Sequence, residues 1–144
     1  DGPIAVFGPE AAAYGLTESL PPDDQSAREA EQAKAHCNAL PPDLLPAMVD
    51  VQRLRDAALA RAVVQAMADT GGPVAVITGN GHARRDQGLT LPLARVAPDL
   101  SVLTIAQFEE TTPDSPPFDL WLLTPTIPRD DPCAALTGTA SGGG

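Results

Sequence analysis

One of the two histidines in the 144-residue chain sits in a run of residues able to do chemistry, Thr78-Gly79-Asn80-Gly81-His82-Ala83-Arg84-Arg85-Asp86. An imidazole titrates near neutrality, so His82 can bind a metal or a haem iron, or serve as a general base. Arg84 and Arg85 can pair with carboxylates of a ligand, and Asp86 can orient a neighbour. Gly79 and Gly81 flank Asn80, which would let the backbone take positive φ angles and approach a ligand closely. Earlier in the chain, Gln52 and Asp56 fall four apart and therefore on one face of a helix. That face continues to Leu59, Ala60 and Val63, so Asp56 borders an apolar stripe, where a carboxylate must be paired. Arg53 and Arg55 are one possible pair of partners. The functional alternative puts Asp56 beneath the His82 loop as the group that orients the ring. In the plainer reading of the loop, Asn80-Gly81 makes a turn, His82 caps a carbonyl and the arginines are solvated.

The elements around these residues read as alternating strand and helix. Ile4–Phe7 is a short apolar run closed by Gly8-Pro9 and is expected as an interior strand. A helix is expected from Pro22 to about Cys37, with acidic residues in its first turn and His36 capping its end. The longest helix is expected from about Asp43 to Ala68, with Met48, Val51, Leu59, Ala62, Val63, Ala66 and Met67 forming its apolar stripe. Gly71-Gly72 ends it. Val74–Ile77 is continuous in apolar residues, as in a strand buried on both faces of a parallel sheet. The His82 loop leaves its carboxyl end, where binding sites collect in open α/β sheets. A short helix at Leu91–Val96 and strands at Val102–Phe108 and Leu120–Leu123 follow, with a polar link between the strands. Tyr14 reads as a loop residue, Trp121 as strand core, and both methionines as core.

This pattern gives an α/β fold, a largely parallel sheet flanked by helices. Four strands are few for a closed domain, so residues 1–136 are expected to be part of a larger one, with 137–144 a flexible tail. The formal net charge of −10, from 9 Lys+Arg against 19 Asp+Glu, argues against nucleic acid and anionic lipid surfaces as partners. No apolar run is long enough to span a membrane. Phosphate loops, nucleophile elbows and His-Glu-x-x-His metal motifs are absent. Cys37 and Cys133 lie in no Cys-x-x-Cys frame and read equally as a disulfide or as two buried thiols.

Taken together, "AHCNALPPDLLPAMVDVQRLRDAALARAVV", "GGPVAVITGNGHARRDQGL" and "PFDLWLLTPTIPRDDPCAAL" resemble the C-terminal half of the ChaN family. Members are iron-regulated haem-binding proteins, often lipoproteins, related to erythromycin-esterase-like proteins. The resemblance runs from about Ala35 to Leu136, and its specific parts are Gln-x-x-x-Asp on the helix and the Gly-Asn-Gly-His loop. It implies haem as cofactor, at a pocket shared across a homodimer, with a tyrosine on the iron and a histidine nearby. Carried onto this sequence, His82 is the metal ligand, Asn80 and Gly81 form the loop, and Asp56, Gln52, Arg84 and Arg85 complete the haem-binding set. Tyr14 is not assigned as the iron tyrosine, and the family's N-terminal Gly-Glu-x-x-His motif has no counterpart here.

The resemblance also implies a place in the bacterial cell envelope, periplasmic or held at the outer membrane by a lipid anchor outside this chain. In that setting Cys37–Cys133 becomes a disulfide candidate that would stabilise the fold by about 2–4 kcal/mol. The chain reads as a binding protein of haem and iron acquisition with no catalytic residue assigned. The alternative is an esterase-like hydrolase with His82 as general base.

Overall fold

A computed structural model describes residues 2–134. Its elements are α1 (Pro3–Phe7), α2 (Pro22–Ala35), a 3-10 turn (Pro42–Leu44), α3 (Leu45–Thr70), α4 (Asn80–Ala83), α5 (Thr90–Val96), β1 (Ile105–Glu109) and β2 (Leu120–Thr124). They fall into two compact units, residues 2–18 with 53–126, and residues 19–52 with 127–134. Residues 135 and 136 of the expected domain, and the expected tail at 137–144, lie outside the described residues.

In the first unit the core is small and rich in alanine. Phe7, Ala11, Tyr14 and Leu16 pack on Ala57 and Ala60 of α3 and on Leu89 and Leu93, with Leu54, Val63 and Val96 around them. Ala57 and Ala60 are fully buried, so the N-terminal segment lies close against the α3 backbone. The Tyr14 ring packs on Phe7 at 5.0 Å between centroids, and the Arg61 guanidinium covers the Phe7 ring at 4.1 Å. Tyr14 thus lies in the turn between α1 and α2, as expected of a loop residue, and its ring joins the core. Burial pushes its phenol pKa up; Glu10 adds to the shift and Arg61 opposes it.

The expected strand at Ile4–Phe7 is a single helical turn instead. A four-residue apolar run does not distinguish strand from buried helix by periodicity. Pro3 suits a first helical position, and Gly8, at φ 93°, closes the turn by donating to the Ile4 carbonyl.

α3 forms much as expected, because Leu, Ala, Arg, Gln and Met favour helix and Pro46 falls in the first turn. Gly71, at φ 74°, ends it and donates to the Met67 carbonyl at 2.9 Å.

β1 and β2 pair in parallel from Ile105↔Leu120 to Glu109↔Thr124, so the chain is α/β with a small parallel sheet. The first of these expected strands begins at Ile105 rather than Val102. The expected strand at Val74–Ile77 does not form. Among the described residues Pro73–Thr78 make no backbone hydrogen bond. Val76 is 39% exposed and Ile77 fully so, against the expectation of burial on both faces. A parallel strand needs a neighbour to take its amides and carbonyls, and this run has none among the described residues. Trp121 is in a strand but exposed, as are Leu120, Leu122 and Leu123.

In the second unit α2 contributes no buried residue. His36 caps it, its Nδ1 donating to the Gln32 carbonyl at 2.8 Å. Cys37 and Cys133 are joined by a disulfide with Cα atoms 5.5 Å apart, and Val49 is nearly inaccessible.

Candidate functional site

The site is built from one side chain of α3 and the loop that carries α4. Asp56 follows from its place on the border of the buried stripe: it is 5% exposed and flanked by the fully buried Ala57. A carboxylate so buried requires a donor. His82 supplies one, with Nδ1 2.8 Å from Asp56 Oδ1. A carboxylate only accepts, so Nδ1 carries the proton of that bond. In the neutral ring Nε2 then holds the free lone pair, and it makes no hydrogen bond among the described residues. The arrangement presents a nitrogen ligand or a base, its ring orientation fixed from below by a buried anion.

The loop backbone sets the ring's position. His82 N–H donates to the Gly79 carbonyl at 3.0 Å, starting the single turn of α4. The Asn80 carboxamide faces β1: Nδ2 donates to the Gln107 carbonyl at 2.7 Å, and Oδ1 accepts from Gln107 N–H at 3.4 Å. One side chain thus takes both backbone groups of Gln107, as a neighbouring strand would. The expectation of positive φ at Gly79 and Gly81 is not met. Gly79 sits at φ −69°, Gly81 is not among the positive-φ residues, and a Cβ at either would have open space.

The two arginines are engaged with carboxylates of the protein. Arg84 binds both oxygens of Asp86, at 2.8 and 2.6 Å, in the bidentate fork that guanidinium favours. Arg85 reaches Asp119 at 2.7 Å. Asp119 escaped the sequence reading, since an aspartate before an apolar run is ordinary. Its Oδ2 accepts from both the backbone N–H and the hydroxyl of Thr104, each at 2.8 Å. Those two bonds, followed by the Arg85 charge, hold its carboxyl below the usual carboxylate range. Gln52 is half-buried and belongs to the second unit.

Beside the loop lies an apolar cavity of about 580 Å³. Val63 and Met67 of α3, Val76, Leu93 and Leu103 line it, and Thr78 and Ala83 bring it up to the residues that hold His82.

The profile of the family described as "Haem-binding uptake, Tiki superfamily, ChaN" matches residues 2–93. The chain belongs to this family. The matched part of this ChaN-type chain contains both halves of the pair, Asp56 and His82, and ends in α5; β1, β2 and Asp119 lie beyond it. No curated protein and no solved structure matched the chain. Haem is the cofactor that the family's description names. The residues present fit it: an imidazole whose second nitrogen has no hydrogen bond among the described residues, a buried carboxylate to fix the ring, and apolar surface beside the loop. Among the described residues no helix of the ChaN-type chain is long and apolar enough to cross a membrane, and no cluster of three or more side chains could hold a bare metal ion.

Proposed function

We propose that this chain binds haem for uptake, with His82 Nε2 as a ligand to the iron. The observation that carries the reading is the His82–Asp56 bond. Haem, when bound, would supply an iron able to take a nitrogen ligand, and His82, Asp56 and the loop residues would hold it. Asp56 fixes the tautomer and the orientation of the ring, as carboxylates behind metal-bound histidines do. Apolar side chains beside the loop exclude water from a porphyrin face. Arg84 and Arg85 are the cations of the loop, and their partners, the exposed Asp86 and the half-buried Asp119, can be exchanged for propionates. Asn80 holds the loop to β1, and Gly81 follows it in the single turn of α4.

The proposal extends to the setting. A parallel sheet is normally covered on both faces, whereas Ile105, Leu120, Leu122 and Leu123 are exposed here. That supports membership of a larger α/β domain of the ChaN and erythromycin-esterase-like kind. A homodimer would close the second face of the porphyrin. The Cys37–Cys133 bond supports an oxidising compartment, the periplasm or the outer-membrane surface, with any lipid anchor outside this chain.

The test is a haem titration followed by visible absorption, with light scattering, on the native protein and on His82→Ala. A saturable Soret band that shifts or weakens in the variant is expected, together with a dimer in the loaded state. An unchanged band in His82→Ala would remove the ligand assignment. A second reading has the same pair as its support: an imidazole backed by a buried carboxylate is also a general base. Turnover of esters or lactones without haem, lost in His82→Ala, would favour that hydrolase reading.

A further inference from the structure

Gly88 is buried, and a Cβ built on it would fall 2.6 Å from the Arg84 carbonyl oxygen, 2.8 Å from the His82 carbonyl carbon and closer still to the His82 oxygen. All three are backbone atoms, so no flexible side chain can move aside. The requirement at this position is space, since Gly88 is not among the residues at positive φ.

Its neighbours act on the same carbonyls. Gly88 N–H donates to the Arg84 oxygen at 3.0 Å, and Leu89 N–H donates to the His82 oxygen at 2.8 Å. The Thr90 hydroxyl reaches the Arg84 and Arg85 oxygens at 3.0 and 3.3 Å. Leu89 is itself part of the core that contains Ala57, the residue after Asp56. The loop thus returns on itself and fastens the His82 peptide to the core that holds Asp56.

We infer that Gly88–Thr90 is the positioning element of the site: contact of the Gly88 backbone with the His82 carbonyl sets the imidazole on Asp56. Gly88 touches no ligand and acts through His82. The inference builds on the proposed role of His82, but its first readout is free of haem.

The experiment is nitrogen-15 NMR of the imidazoles in the full, haem-free chain, which holds only His36 and His82, with His82→Asn assigning the signals. In the native protein the His82 ring should be the Nδ1–H tautomer with a protected, downfield Nδ1 proton. In Gly88→Ala that proton signal should be lost and the ring should take the tautomer mixture of a free imidazole, with α-helical circular dichroism retained. Haem affinity should fall by about tenfold or more, the scale seen when a group supporting a metal-bound histidine is removed. Thr90→Val is the milder companion, which keeps volume and removes the hydroxyl; it should shift the same signal partway, and it decides the question if Gly88→Ala does not fold. A folded Gly88→Ala with the native His82 spectrum would overturn the inference, as would a native spectrum in Thr90→Val where Gly88→Ala is unfolded. A changed ring with unchanged haem affinity would leave the positioning role standing and remove His82 from the haem site.

Discussion

Asp56 and His82, separated by 26 positions in the chain, meet through one hydrogen bond of 2.8 Å between Oδ1 and Nδ1. The carboxylate is the more buried partner, its side chain 8% exposed against 21% for the imidazole. The pair is therefore asymmetric: the anion is fixed by the α3 core, and the ring is the part that faces outward. Asp56→Asn keeps the shape and removes the anion that accepts the Nδ1 proton and holds the ring. Haem affinity should fall by roughly ten- to a hundredfold, read by Soret titration, with the far-ultraviolet circular dichroism unchanged. Undiminished affinity would mean that the charge of Asp56 has no part in binding.

Close approach of the N-terminal segment to α3 depends on alanine. Ala60 is fully buried in the cluster of Phe7, Tyr14 and Leu16, so Ala60→Leu has no room without moving a ring. Such overpacking costs about 1–3 kcal/mol, measurable as a lower urea midpoint with little change in slope.

Asp119 anchors the entry to the sheet. Its carboxyl lies below its usual range because it accepts from the Thr104 N–H and hydroxyl and is paired with Arg85. A folded-state pKa below the unfolded one gives stability that is fully present above the unfolded value. That contribution is lost as pH falls through the carboxylate range toward the depressed folded value. Asp119→Asn should lower the melting temperature at neutral pH and flatten its decline in acid. Parallel melting curves for the two proteins from neutral to acid pH would contradict this.

Cys37 and Cys133 close a loop of 96 positions in a unit where α2 buries no residue. Reduction, or replacement of both cysteines by serine, should destabilise the chain by about 2–4 kcal/mol. Chemical denaturation with and without reductant measures it. Neither thiol should react with a labelling reagent until the protein is reduced.

Much of the site is legible in the order of residues. The run of helix formers from Leu45 to Thr70, and its stop at Gly71, follow from local propensity and from the freedom of glycine at positive φ. The four-residue spacing of Gln52 and Asp56, bordering Leu59, Ala60 and Val63, requires a buried carboxylate with a partner. The framing of His82 by Asn80 and Gly81 marks the loop. The family match to residues 2–93 agrees with the resemblance carried by those stretches.

Short apolar runs are the weak point. Ile4–Phe7 and Val74–Ile77 look alike in composition, yet one is a helical turn and the other pairs with nothing among the described residues. Strand character depends on a neighbour that local sequence does not specify.

What the sequence alone determined is the chemistry available: one loop imidazole, one carboxylate at the edge of a buried stripe, two loop arginines, and two cysteines. Only the tertiary structure decided their partners. It set Asp56 on His82, gave Arg85 to Asp119, turned the Asn80 carboxamide onto Gln107, and pressed Gly88 against the His82 carbonyl. The physical reason is range. Propensity, capping and periodicity act within a few residues, whereas a hydrogen bond between groups far apart in sequence exists only once the packed backbone has brought them within about 3 Å.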